Sequence, residues 1–353
     1  MVAGADGVSR RKVGIRDVAA AAGVSVTTVS HVLNETPHTR TSVATSARVR
    51  QVAQELGYKT NRFAQGLRTQ ASGMIGLVTE EIATTPYAGK IIQGAQDAAA
   101  ARGLTLAILN SELTHEPMVD ARLVRALVDR HVDGMIYATV YHDIVAAPPE
   151  MHEAPAVLIG ASDESGQIPS VMPAERAGAA SVVRMLHEAG HTRIAFLGSS
   201  NDVPATRGRL TGYRDAMAQL GLPSDGLELQ AESEAAGGYA AARALLEPDR
   251  PDPRRPTAVF CYNDRMAMGA YRGAAELGLT VPTDVSIVGF DDQDPIGYSL
   301  YPGLTTVALP HYELGSWAVE TLATPLASDA APVGPTLLDC PLVYRGSVAS
   351  PSH

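Results

Sequence analysis

The sequence predicts a small all-α head followed by an α/β body with enough strands for two doubly wound sheets. Three observations carry that prediction. First, the charge divides sharply: of 353 residues with a net charge of -10, residues 1–70 hold ten Lys or Arg against four Asp or Glu, and the remaining 283 hold 18 against 34. Second, three segments before residue 57 repeat the spacing i, i+3, i+4, i+7 that puts four residues on one helical face. Third, from Met74 onward short apolar runs alternate with helical patterns, as buried parallel strands joined by crossover helices do.

Composition sets the outer bounds. At roughly 150 residues per domain the chain holds two or three domains, and 45% hydrophobic with 19% charged residues excludes wholesale disorder, collagen and a disulfide-stapled miniprotein. No stretch approaches the roughly 18 apolar residues of a membrane span, and the basic start is not followed by the apolar core of a secretion signal. The chain is therefore expected to be soluble and cytoplasmic, with no membrane partner. Cys261 and Cys340 are too few for a disulfide framework and too far apart for ligand spacing, so buried thiols and no metal are expected.

In the head the repeated faces are Ile15, Val18, Ala19 and Ala22, then Val26, Val29, Ser30 and Leu33, then Val49, Val52, Ala53 and Leu56. Between the first two lies Gly23-Val24-Ser25, where a glycine can end one helix and a serine hydroxyl can cap the next. Helices joined this tightly cross steeply, as in a helix-turn-helix. The third helix is expected to start after Ser42 and to stop at Gly57.

A basic head on an acidic body points to a polyanionic partner for the head alone. In a helix-turn-helix the second helix can enter the major groove of double-stranded DNA. Ser25, Val26, Thr27, Thr28, His31 and Asn34 are its candidate contacts. Thr27 can hydrogen-bond a base or touch a thymine methyl, Val26 can pack on a methyl, and His31 can donate to a guanine acceptor.

The head resembles that of the LacI family of bacterial transcription regulators. The matching residues are Ile15-Arg16-Asp17-Val18-Ala19, Gly23-Val24-Ser25, Thr28 to Asn34, and Leu56-Gly57-Tyr58 with Asn61-Arg62. The resemblance continues in order through Gly190 to Gly198, Asn263 to Gly269, Asp284 to Asp292 and the crossover segment Leu304-Thr305-Thr306-Val307. It covers about residues 13–346.

Several expectations follow from the resemblance. The domains are a helix-turn-helix at 13–58, a hinge at 59–72, and an effector-binding and dimerisation domain at 73–346. Its two periplasmic-binding-protein-like lobes are expected at about 73–173 plus 308–335 and about 174–307 plus 336–346. Asn61, Arg62, Ala64, Leu67 and Arg68 resemble a hinge helix that orders on operator DNA in a dimer. Leu67 stands where a leucine wedges between base steps, and Arg62 and Arg68 would hold phosphates or the narrowed minor groove. In the cleft between lobes, Arg207, Asn263 and Asp291 resemble effector contacts, and Tyr87 and Tyr262 are aromatic candidates for stacking on a ligand face.

The chain also departs from the family pattern. Gly160-Ala161 stands where an Asp-Arg is common, Ala174-Glu175 where an Asp-Asn is, Ser233 replaces a frequent aromatic, and Leu309 a polar residue. A sugar is the leading effector class, with a larger or less polar ligand, a nucleobase, or no ligand as alternatives. His31 stands where many relatives carry arginine, which bears on one base preference.

No dinucleotide fingerprint, P-loop, zinc-helix signature or nucleophile elbow occurs, so neither a catalytic activity nor a cofactor is expected. The expected function is a dimeric repressor on an inverted-repeat operator, controlled by a small-molecule effector. The alternatives are an enzyme or a ligand-binding protein with an appended DNA-binding head.

Overall fold

In the computed structural model, residues 13–34, 41–58, 71–80, 89–111, 119–247, 255–324 and 334–351 are described. The chain divides into two units, 1–72 and 73–353.

Among its described residues the first unit contains three helices, α1 (Ile15–Ala22), α2 (Val26–Leu33) and α3 (Val43–Glu55). At the end of α1, Gly23 takes φ +62°. From there Gly23 N donates to Ala20 O at 3.3 Å and Val24 N to Ala19 O at 3.1 Å, the paired closure that a left-handed residue makes possible. Ser25 then caps α2 by accepting from Thr28 N at 3.1 Å, and Ser42 caps α3 by accepting from Thr45 N at 3.2 Å. At the far end of α3, Tyr58 N donates to Ala53 O at 2.9 Å.

The core of this unit joins Val18, Ala19, Ala22, Val29, Val32, Val49 and Ala53. Two of the predicted faces shift. In α2 it is Val29 and Val32 that are buried, while Val26 is 40% exposed. In α3 Leu56 lies beyond the last helical residue and is 38% exposed.

Among its described residues the second unit holds two parallel sheets. The first runs in the order β11 (Thr336–Leu338), β5 (Ser170–Pro173), β4 (Ala156–Asp163), β3 (Gly134–Val145), β1 (Met74–Glu80), β2 (Thr105–Ser111). One face is covered by α4 (Gly89–Ala101) and α11 (His311–Ala323), through Ile91, Ala95, Leu314 and Ala318. The other face packs on α5 (Ala121–Val128) and a short 3-10 turn at Pro149–His152. The second sheet runs β7 (Glu228–Ala231), β6 (Ile194–Ser199), β8 (Ala258–Cys261), β9 (Ser286–Val288). Helices α6 (Glu175–Glu188) and α7 (Pro204–Gln219) cover one face, and α8 (Ala235–Leu246) and α9 (Asp264–Glu276) the other. A strand buried on both faces carries apolar side chains throughout, which is why Ile194–Leu197 and Ala258–Cys261 are wholly buried.

Between the lobes the chain crosses three times. It leaves β5 for α6, returns to α11 after β10 (Thr306–Val307), and crosses back after β11 to β12 (Leu342–Val343), which pairs antiparallel with β10. This corrects the expected boundary: residues 336–338 belong with the first lobe, because Thr336–Leu338 pair with Val171–Pro173. The crossings are bonded to one another, Ala174 N to Leu338 O and Ala308 N to Pro341 O, each at 2.8 Å.

The chain's last described residues complete the second lobe. Ser347 Oγ donates to Ile287 O at 2.6 Å and accepts from Thr305 N at 2.8 Å. His191, 1% exposed, places Nε2 2.9 Å from Ala349 O and Nδ1 2.8 Å from Thr257 Oγ1. Burial lowers its pKa below the usual imidazole range, so the neutral ring donates from Nε2 and accepts at Nδ1.

Both cysteines are free and buried. Among the described residues no helix is long and apolar enough to cross a membrane, and no group of three or more His, Cys, Asp or Glu converges as a metal site.

Helices α8 and α9 touch through reciprocal glycines. A Cβ on Gly238 would lie 2.1 Å from Met266 O, and one on Gly269 2.0 Å from Ala235 O. Overpacking such a contact costs roughly 1–3 kcal/mol. Gly238→Ala is therefore expected to lower the melting temperature of the second unit by several degrees. Gly89→Ala, where a Cβ meets nothing within 4 Å, serves as the control and should leave it unchanged in a calorimetric scan.

Candidate nucleic-acid interface and ligand cleft

On α2 the six expected contacts separate into two kinds. Ser25 and Thr28 share their hydroxyls at 2.9 Å and hold the helix start. Asn34 donates from Nδ2 to Ser30 Oγ at 3.1 Å at the helix end. Val26 and Thr27 are exposed and project from the first turn, while His31 is half-buried on the following turn. The tight turn thus spends one set of polar groups on fixing the helix and leaves the other set outward. Asn61, Arg62, Ala64, Leu67 and Arg68 lie outside the described residues, as does Tyr87.

In the second unit, the carboxyl ends of the parallel strands face a cleft between the lobes, where open α/β sheets bind ligands. The space between them is about 80 Å³, room for two or three waters at roughly 30 Å³ each. The first lobe contributes Ile91, Thr139, Ile159, Gly160 and Leu314, a mostly apolar wall. The second contributes Ser199, Arg209, Tyr262, Asn263, Arg265 and Asp291, a polar and charged one.

Arg209 is the centre of that wall. Its side chain is 4% exposed; Nε donates to Glu175 Oε2 at 2.7 Å and Nη2 to Glu175 Oε1 at 3.2 Å. Nη1 donates to Tyr262 O at 2.5 Å, and Nη2 lies 3.0 Å from Asp291 Oδ1. The guanidinium lies over the rings of Tyr262 (4.5 Å) and Phe290 (3.9 Å).

Arg207, the expected contact, is elsewhere. Its side chain is 57% exposed and pairs with Asp202 at 2.6 Å, on the solvent face of α7. Residues two positions apart on an α-helix are separated by about 200°, so Arg207 and Arg209 cannot both face the cleft. The buried positions Arg209, Gly212, Tyr213 and Ala216 follow the i, i+3, i+4, i+7 spacing, a signal in the sequence that selects Arg209.

Asn263 lines the cleft, yet its amide also serves the fold. It caps α9 by accepting from Met266 N at 2.8 Å and donates to Ser233 O at 2.9 Å. Tyr262 presents a ring that Arg209 already covers on one side.

Asp291 sits at φ +106° and Asp292 at +49°, a conformation that costs about 1–3 kcal/mol per residue and persists only where neighbours enforce it. Those neighbours are named: Asp291 N donates to Val307 O at 2.8 Å, Gln293 N to Asp264 Oδ2 at 2.7 Å, and Arg345 Nη2 to Asp292 Oδ1 at 2.7 Å. Two further groups escaped sequence reasoning. Asp264, fully buried behind the cleft, also accepts from Thr306 Oγ1 at 2.6 Å and so ties α9 to a crossing. Arg265 pairs with Glu234 at 2.8 Å, and its buried Nε finds no hydrogen-bond partner among the described residues, while buried Asp291 Oδ1 has the Arg209 ion pair at 3.0 Å and no hydrogen bond besides.

Burial pushes the Asp264 carboxyl up to about 7, and neighbouring Asp291 adds to that. Burial likewise pushes Asp291 up to about 6, against the opposing pull of Arg209.

Comparison with known proteins bears on the family and the fold. The family described as "Bacterial regulatory proteins, lacI family" matches residues 14–61, and "Periplasmic binding protein-like domain" matches residues 183–348. The HTH-type transcriptional regulator MalR of Streptomyces coelicolor is 36% identical, over 95% of this chain and 96% of that protein. The ribose operon repressor of Escherichia coli K12 is 33% identical, over 87% and 91%. Among solved structures, the lac repressor dimer bound to operator and the anti-inducer ONPF is similar at a TM-score of 0.76. It shares 28% identity and is matched over 96% of this chain and 100% of that one.

The raised carboxyls make stability depend on pH. An unfolded aspartate titrates near 3.9, so between that value and about 6 or 7 the native state holds protons that the unfolded chain has released. The contribution of Asp264 and Asp291 is full at low pH and is lost as pH rises through 6 and 7. Urea unfolding of the second unit within the full chain should therefore show Asp264→Asn losing less stability than wild type between pH 5 and 8. Parallel curves for the two proteins would remove Asp264 as the responsible group.

Proposed function

The chain belongs to the LacI family of bacterial regulatory proteins, and from that premise we propose that it represses transcription as a dimer on an inverted-repeat operator, under control of a small molecule in the cleft. The observation that carries the reading is the outward first turn of α2, where Val26 and Thr27 are exposed and Ser25 and Thr28 are spent on holding the helix. A helix so capped presents its start to a major groove, and a two-fold dimer mirrors a palindrome.

The ribose operon repressor among the relatives puts a sugar first as the effector class. The cleft supports that class: buried Asp291 Oδ1 and Arg265 Nε offer an acceptor and a donor, and a hydroxyl group serves both. A ligand controls the operator only by binding two states of the protein unequally. The three bonded crossings are the element whose state it would bias. On this reading the chain acts in the cytoplasm on chromosomal DNA, and its buried carboxylates serve binding and support rather than turnover. Asn61, Arg62, Ala64, Leu67 and Arg68 enter the reading by the family pattern alone.

Fragments of the source genome retained by the purified protein at physiological salt should share an inverted repeat of about 14–20 base pairs. Thr27→Ala should change the preferred base at one position of each half-site, by roughly 1–3 kcal/mol. Fragments without a shared motif, or uniform weakening by Thr27→Ala, would overturn the placement of α2.

A further inference from the structure

Arginine offers five N–H donors in a planar fork that matches a carboxylate or a phosphate. In this cleft four of those five donors are already engaged: Glu175 takes Nε and Nη2 together, Tyr262 O takes one N–H of Nη1, and Asp291 faces Nη2. The rings of Tyr262 and Phe290 also pack on the guanidinium, at 4.5 and 3.9 Å from its central carbon, so Arg209 is held by its partners rather than free to meet a ligand.

The charge balance points the same way. One guanidinium meets two carboxylates at contact distance. Arg265 is paired with Glu234. Opposite them the first lobe presents Ile91, Ile159 and Leu314, with His311 as its titratable lining group. A ligand that carried a phosphate or carboxylate would meet Glu175 and Asp291 in a site of low dielectric, where like charges repel strongly. A hydroxyl or an ammonium group would instead donate to Asp291.

We infer that Glu175 is a specificity-determining residue: by occupying the fork of Arg209 it closes the cleft to anionic ligands, so that the effector is an uncharged or amine-bearing polyol. The inference rests on the cleft being the effector site, as proposed above.

The test uses the full-length protein. Calorimetric titration with inorganic phosphate, at ionic strength matched with chloride, is compared for wild type and Glu175→Gln. The side-chain ¹⁵Nε–Hε resonance of Arg209 serves to locate any binding in the cleft rather than on the basic head. Wild type should show no cleft response, and Glu175→Gln should bind phosphate there at least tenfold more tightly. Matched pairs on wild type form the second arm, ribose with ribose 5-phosphate and glucose with glucose 6-phosphate, with glucosamine as the amine-bearing probe. If Glu175→Gln fails to fold, this arm decides alone.

A phosphorylated sugar that binds the wild-type cleft more tightly than its parent overturns the inference, as does phosphate binding there in wild type. A folded Glu175→Gln that still ignores phosphate overturns the role of Glu175. Silence of every neutral and amine-bearing sugar, with phosphate excluded in wild type and admitted by the variant, overturns the sugar reading and leaves the exclusion of anions supported.

Discussion

An arginine taken almost wholly out of water sets the terms for the rest of the effector unit. A buried charge is tolerated only when its partners are in place, and removing one partner of such a pair costs about 3–5 kcal/mol. For Arg209 those partners come from three parts of the chain, Glu175 from the start of α6, the Tyr262 carbonyl from the end of β8 and Asp291 from the loop after β9. The requirement to neutralise one guanidinium thereby fixes the relative positions of the first crossing, the central strand and the strained turn. A structure that satisfies Arg209 has also built the polar wall of the cleft.

The strained turn extends this dependence to the crossings. Asp291 and Asp292 hold left-handed backbone because Val307, Asp264 and Arg345 each bond the segment. Asp264 reaches on to Thr306 and Arg345 to Leu304 O, the latter at 2.8 Å. Ligand groups and crossing strands are therefore neighbours within one hydrogen-bonded network. A change at the cleft wall need not travel far to be felt where the chain passes between lobes.

Sequence periodicity reached the elements that are long or buried on both faces. The three head helices, their serine caps and the strands β1, β3, β6 and β8 carry strong apolar patterns. It missed β5, β7 and β10 to β12, which are two to four residues long, too short for a period of two to stand out. The assignment of residues 336–338 failed for the same reason, since only pairing with β5 decides their lobe. In the cleft, Asn263 and Asp291 were named from the family pattern, and both line the space. Arg207 was preferred over Arg209 because the two differ in helical phase, not in chemistry, and the phase is set by the buried Gly212 and Tyr213. The dual role of Asn263 and the burial of Asp264 depend on contacts between segments distant in sequence.

The three crossings also order events during synthesis. The first sheet is incomplete until Thr336–Leu338 join β5, and the second lobe until Ser347 and Ala349 reach Ile287 and His191. Among the described residues, the buried core of the helical head runs from Val18 to Ala53. At translation rates of about 5–20 residues per second, the head is available to fold for some tens of seconds before either lobe can close. A chain interrupted in that interval carries its first three helices without a finished receptor for the signal that governs them.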